Sequence, residues 1–146
     1  MAIMKTEIIN QLSNLFDGYV WYGPTILETI NQVRPEAASN HYRDSHSIQE
    51  LIEHMASWRR FVIEKLNGNH QYEVTEETNF TSSKNLSDSI QKLKATQVEL
   101  MDAIRKFPED RLSETVPSRE YTFQFMLTGI AQHDLYHLGQ IALLNR

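Results

Sequence analysis

The chain has 146 residues, of which 40% are hydrophobic, and this length and composition predict a single domain over residues 1–146 with a core able to fold alone. The net charge is −5, from 14 basic and 19 acidic residues, and no cluster of Lys or Arg is larger than a pair such as Arg59 and Arg60, so we expect no nucleic-acid partner. The chain has no cysteine, which excludes disulfides, thiolate metal ligands and a thiolate nucleophile supplied by the protein.

Two helical segments are predicted near the N-terminus. Apolar residues at helical spacing predict a first helix over residues 5–16, and the pair Asp17-Gly18 ends it. The step at residues 23–24 (GP) begins a second helical piece that reaches about residue 33. The pattern leaves open whether residues 24–33 form a separate helix or a kinked continuation of the first.

Three further long helices follow. Ser47 and Glu50 have the spacing of a capping box, which predicts a helix that begins there and runs to Leu66. Apolar residues at helical spacing over 90–104 predict the next helix, which ends near residues 107–108 (FP). The last helix is expected to follow Thr122.

The connection over residues 68–83 is polar and has no period. A segment of this length can reach roughly 50 Å, whereas the preceding helix is only about 30 Å long. The connection can therefore cross the whole bundle, so that the helices on either side of it run parallel. We accordingly predict an all-α fold, a four-helix bundle with up, down, down, up order in place of simple alternation.

Three histidines are candidate metal ligands. His133 and His137 are four residues apart on the last helix, so their side chains differ by about 40° in direction and roughly 6 Å in height. Both lie on a predicted core-facing stripe, and His54 lies in an apolar helical series of its own. The alternative is that all three are core histidines satisfied by hydrogen bonds. Three inward imidazoles are difficult to satisfy without an ion, which favours a metal site.

The predicted helix order agrees with this site. His54 lies about two turns from the start of its helix, whereas His133 and His137 lie in the later half of theirs. The three rings reach one level if the two helices are antiparallel, as the up, down, down, up order makes them.

Three residues of the last helix are further candidates for the site. Asp134 is one step from His133, which turns it by about 100°, so we expect either an acceptor for an imidazole N–H or a solvated charge. Gln140 either lines a pocket and bonds a ligand or is a buried amide bonded to backbone. Tyr136 either reaches the pocket edge or is a half-buried core residue.

Aromatic residues elsewhere complete the candidates. Trp58, one turn after His54, is expected in the core, where it can also form a wall that keeps the site dry. Trp21 and Tyr22 are expected on an exposed loop, as substrate contacts or dimer contacts. A fourth ligand from Glu53, Asp134 or a carboxylate of the first helix would favour a structural site, because closed structural zinc sites usually have four ligands.

The chain resembles the DinB/YfiT-like superfamily over nearly its whole length. The matching segments are residues 21–24 (WYGP), 46–48 (HSI), 51–58 (LIEHMASW), 121–122 (YT) and 129–144 (GIAQHDLYHLGQIALL), of which the last is the most specific. The resemblance implies a four-helix bundle with a divalent metal held by three histidines, which correspond here to His54, His133 and His137. It also implies a homodimer.

The resemblance implies two kinds of activity. Some members of the family resemble S-transferases or isomerases that use a low-molecular-weight thiol such as bacillithiol or mycothiol, and others are described as metal-dependent hydrolases. The catalytic group in either case is expected to be a metal-bound water or thiolate, on zinc, nickel or iron. A non-catalytic bundle with a structural metal, a sensor or a binding module, is the alternative.

The remaining expectations concern partners and location. We expect a small-molecule substrate, with the low-molecular-weight thiol as a cosubstrate in the transferase case. No uncharged apolar run reaches membrane-spanning length, and the first seven residues lack the apolar stretch of a signal peptide, so we expect a cytoplasmic protein without a membrane partner.

Overall fold

The computed structural model describes residues 4–81 and 85–146, so residues 82–83 of the predicted connection and the first three residues lie outside it. In chain order the helices are α1 (Lys5–Asp17), α2 (Ile26–Asn31), α3 (Ile48–Leu66), α4 (Glu76–Asn79), α5 (Leu86–Lys106) and α6 (Phe123–Leu144). Short 3₁₀ turns lie at Pro35–Ala37 and Glu109–Arg111, and the described residues form no strand. The fold is therefore all-helical, as predicted.

The helix boundaries follow from local capping chemistry. The Ser47 hydroxyl accepts the N–H of Glu50 at 3.2 Å, and the Glu50 carboxylate accepts the N–H of Ser47 at 3.1 Å, which confirms the predicted capping box. The hydroxyl of Thr122 caps α6 in the predicted place. Thr25 and Glu28 form a second capping box, so α2 is a separate helix and not a continuation of α1.

The connection between α3 and α5 contains the helix α4, which the sequence pattern did not predict. Four residues are too few to show an apolar period, and none of those in α4 is buried. The Thr75 hydroxyl caps this helix, and the Ser57 hydroxyl donates to the carbonyl of Thr78. The bond from Ser57 holds the end of α4 against α3.

The long helices pack in defined directions. Glu53 near the start of α3 contacts Ser89 near the start of α5, and Arg60 pairs with Glu99 further along both, so these helices run parallel. Buried residues at the start of α3 share one cluster with buried residues at the end of α6. Those at the end of α3 share the other cluster with residues at the start of α6. Thus α3 and α6 run antiparallel.

The core consists of two clusters at different levels of the helices. The first contains Phe61 and Ile130, and the second contains Met55 and Leu138. Ala131, half-buried, packs against both. The three candidate histidines lie along α3 and α6 between these levels, where apolar packing holds both helices. None of the described helices is long and apolar enough to cross a membrane.

Candidate metal centre

Helices α3 and α6 bring the three predicted histidines together. One ring nitrogen from each of His54, His133 and His137 lies within 4.8 Å of the other two. The Nε2 atoms of His54 and His133 are 3.0 Å apart, although the residues are 79 positions apart in the chain. His54 and His137 are buried and His133 is half-buried. The sequence prediction that these side chains meet is therefore confirmed.

Asn79, at the end of α4, fixes which nitrogen of His54 carries the proton. Its side-chain oxygen lies 3.0 Å from Nε1 of Trp58 and 2.8 Å from Nδ1 of His54. An indole N–H only donates, so this oxygen accepts both bonds and His54 Nδ1 carries the proton. The backbone carbonyl of Asn79 also accepts from His54 Nδ1, at 3.1 Å. The lone pair of His54 is consequently on Nε2, which faces His133.

Gln140 acts in the same way on His137. Its side-chain oxygen lies 2.6 Å from Nδ1 of His137, which leaves the lone pair of that ring on Nε2. An outer hydrogen bond of this kind is usual for metal-binding histidines, since it fixes both tautomer and ring orientation. Nδ1 of His133, by contrast, is buried and has no hydrogen-bond partner among the described residues.

Burial keeps the three imidazoles neutral. Burial is the largest cause of the lowered pKa of His54 and of His137. It is also the largest cause for His133, where burial and the repulsion from positive charge on His137, His54 or Arg59 together lower the pKa to about 3. Neutral rings at pH 7 are the form in which histidine binds a metal.

The arrangement fits a divalent metal ion. Two nitrogens bound to one tetrahedral zinc ion lie roughly 3.4 Å apart, and the distances of 3.0 Å and 4.8 Å lie on either side of that value. The Nε2 atoms of His54 and His133 face each other at 3.0 Å, and the lone pair of His54 on this nitrogen is available to a cation bound between the two rings. In the part of the chain that is described, no carboxylate joins the group, so the protein offers three ligands.

Aromatic rings surround the cluster. Phe80 is stacked between His54, at a centroid distance of 4.0 Å, and His46, at 3.5 Å. Trp58 meets the rings of His54 and His133 edge-on, at 6.5 Å and 6.2 Å, and also packs on the core. Trp58 thus packs on the core as predicted, and its role as a wall that keeps the site dry stays a prediction.

Of the other predicted pocket residues, the structure places some beside the three histidines and others away from them. Gln140 is at the site, but its amide bonds an imidazole and not backbone. Tyr136 is 70% exposed, so the predicted half-buried core position is wrong, and its ring meets that of His137 at 5.0 Å. Trp21 and Tyr22 are exposed as expected, and within the described residues neither makes a ring contact with the three histidines. Their roles in substrate or dimer contacts stay predictions.

Both predictions for Asp134 are wrong. Its carboxylate is fully buried and accepts from Nη1 of Arg59 at 2.5 Å, so it is neither solvated nor bonded to an imidazole. The cause is its direction on α6, which turns it away from the histidines and toward α3. Glu53 is also excluded as a fourth ligand, because it is buried against α5 and accepts from Lys92 at 2.8 Å.

Sequence reasoning missed Asn79 and Phe80. Both lie in the aperiodic connection, more than 20 residues after His54, and only the end of α4 places them beside that histidine. Arg59 was also not predicted to be buried. A signal was present, since Arg59 is four residues from the buried Met55 on α3, but nothing in the sequence pairs it with a residue 75 positions away.

Comparison with known proteins gives one family. The family model described as the DinB superfamily matches residues 26–141, which run from the start of α2 to near the end of α6 and contain all three histidines. No curated protein and no solved structure matches the chain significantly.

Proposed function

This chain belongs to the DinB superfamily, and from that premise we propose that it is a metal-dependent enzyme that acts on a small molecule. The observation that carries the proposal is the cluster of three neutral imidazoles, two buried and one half-buried, that no carboxylate of the described residues joins. Closed structural zinc sites usually have four protein ligands, whereas catalytic sites have three. The ligand set therefore supports a catalytic role over a structural one.

In this proposal His54, His133 and His137 hold one divalent ion, zinc, nickel or iron. When bound, the ion supplies Lewis acidity, which lowers the pKa of a water or a thiol that it binds. Asn79 and Gln140 hold two of the rings through their outer nitrogens. Phe80 and Trp58 limit the access of water to His54, which strengthens electrostatic interactions at the site.

The reaction class that we propose first is S-transfer from a low-molecular-weight thiol. The thiol sulfur forms a bond to an electrophilic carbon, the bond to the leaving group breaks, and the thiol proton passes to solvent. The chain has no cysteine, so the sulfur has to come from a cosubstrate. Hydrolysis uses the same three histidines, and the experiment below distinguishes the two reactions.

We also propose that α1, α3, α5 and α6 form the up, down, down, up bundle of the family. The parallel packing of α3 with α5 and the antiparallel packing of α3 with α6 support this order. The homodimer stays a prediction, and light scattering on the purified protein tests it.

The experiment compares two reactions on protein loaded with one equivalent of zinc, nickel or iron. A thiol with 1-chloro-2,4-dinitrobenzene reports S-transfer, and 4-nitrophenyl acetate without thiol reports hydrolysis. We expect a metal-dependent rate in the first, lost in His54→Ala and kept in His41→Ala. His41 is a matched control, since it is exposed, lies outside the cluster, and has a ring hydrogen bond to the carbonyl of Arg43.

Each result has a distinct meaning. A metal-dependent rate in the hydrolysis reaction alone replaces S-transfer by hydrolysis. Full metal occupancy with no activity toward any thiol, electrophile or ester contradicts the enzyme proposal and favours a non-catalytic metal-binding bundle.

A further inference from the structure

An apolar pocket opens beside the histidine cluster. It has a volume of about 200 Å³ and lies between α3, α6 and the segment that precedes α6. Its lining includes Trp58, Phe61, Tyr121, Phe125, Gly129 and His133. Since His133 lines the pocket and also belongs to the cluster, the pocket adjoins the candidate metal centre.

The lining is almost entirely carbon. Trp58 directs its only N–H to Asn79 at 3.0 Å, so it offers its ring to the pocket and not a donor. Among the described residues that line the pocket, His133 is the only histidine, and none is a lysine, arginine, aspartate or glutamate. A charged or strongly polar group would lose hydration in this pocket without gaining a partner. The chemistry of the lining therefore selects an uncharged apolar group.

The size of the pocket suits one ring. An apolar cavity of about 150 Å³ is large enough to bind benzene, and this pocket is of comparable volume. It is too small for the several anchor side chains of a docked helix. We propose that it is the subsite for an aromatic or short aliphatic group of the substrate, whose reacting end lies at the three histidines. This inference rests on the proposed function, because it places the reacting end at the metal.

Gly129 provides a direct way to fill the pocket. It lies one turn before His133 on α6, and apart from its chain neighbours and the backbone of its own helix, no described atom lies within 4 Å of a Cβ built on it. A side chain at this position therefore projects into free space. Gly139 is the matched control, because it lies on the same helix, is exposed, also has free space at its Cβ, and does not line the pocket.

The test compares two probes, acetohydroxamic acid and benzohydroxamic acid, on zinc-loaded protein by calorimetry. Both bind a metal through the same group, and only the second carries a ring. We expect benzohydroxamic acid to bind at least about 10-fold more tightly, as burial of a ring predicts. In Gly129→Leu this ratio should fall to within about 2-fold while the Kd of acetohydroxamic acid is unchanged, and Gly139→Leu should keep the wild-type ratio.

A second probe makes the pocket testable without the metal. Toluene should shift NMR signals of pocket residues in metal-free wild-type protein and in Gly139→Leu, but not in Gly129→Leu. If neither hydroxamate binds but toluene does, the proposed function fails and the apolar pocket stands. An equal ratio in wild type and Gly129→Leu, or no toluene binding to wild type, overturns the subsite. If Gly129→Leu does not fold, Gly129→Ala replaces it, because alanine favours the helix.

Discussion

The buried ion pair between Arg59 and Asp134 gives the largest stability effect that we predict. Both side chains are 0% exposed, and Arg59 Nη1 lies 2.5 Å from the Asp134 carboxylate. Arg59 Nη2 also donates to Gln97 at 3.1 Å, and the guanidinium lies 5.5 Å from the ring centroid of Phe16. Removal of one member leaves the other charge buried with only neutral partners.

Asp134→Ala should therefore lower the free energy of unfolding by about 3–5 kcal/mol, the usual cost of breaking a buried pair. For a chain of this size that corresponds to a fall in Tm of roughly 6–20 °C. Burial raises the pKa of Asp134, and Arg59 acts in the opposite direction, which shows that desolvation opposes the pair. The double variant Arg59→Met, Asp134→Leu should consequently recover most of the loss, because it removes both buried charges.

Urea denaturation of the metal-free proteins, followed by circular dichroism, measures these differences. The matched control is Asp102→Asn, which removes an exposed i,i+4 pair with Lys106 and should change stability by less than about 1 kcal/mol. The reasoning is refuted if Asp134→Ala costs no more than Asp102→Asn, or if the double variant is as unstable as the single one.

Three further predictions concern the site and a helix cap. Asn79→Ala should weaken zinc binding about 10-fold in a chelator competition, because His54 loses its side-chain acceptor, whereas the exposed Asn69→Ala should not. His133 has a pKa of about 3 in the folded protein, against an ordinary value of 6.5, so the metal-free protein should lose stability as pH falls below 6.5. The variant His133→Gln should therefore flatten the dependence of Tm on pH, and an unchanged slope contradicts this. Ser47→Ala should cost about 1 kcal/mol in urea denaturation, and an effect no larger than that of Ser87→Ala, exposed within α5, would be inconsistent with the capping box.

The long helices were predictable because their signals are local. The capping box at Ser47 and the cap at Thr122 involve residues three apart, and helical spacing of apolar residues marks the buried faces. The same spacing placed His54, His133 and His137 toward the interior, and the crossing of α3 and α6 then brings them together.

The rest depends on contacts that no local pattern encodes. Asn79 and Phe80 reach His54 through a connection without a period, and its helix α4 is too short to recognise. Asp134 was misplaced because it is only one step along the helix from His133. A small error in the predicted width of the buried helix face is therefore enough to place its side chain in solvent when it lies in the interior. Its partner Arg59 is fixed only by tertiary packing.

The central claim is that His54, His133 and His137 hold one metal ion, and metal content tests it most directly. Protein purified without a histidine tag should contain about one divalent ion per chain, measured by inductively coupled plasma mass spectrometry. His54→Ala should lose that ion, whereas His41→Ala should keep it, since His41 is exposed and outside the cluster. Wild-type protein that takes up no zinc, nickel or iron at neutral pH, or His54→Ala with its full complement of metal, would contradict the account.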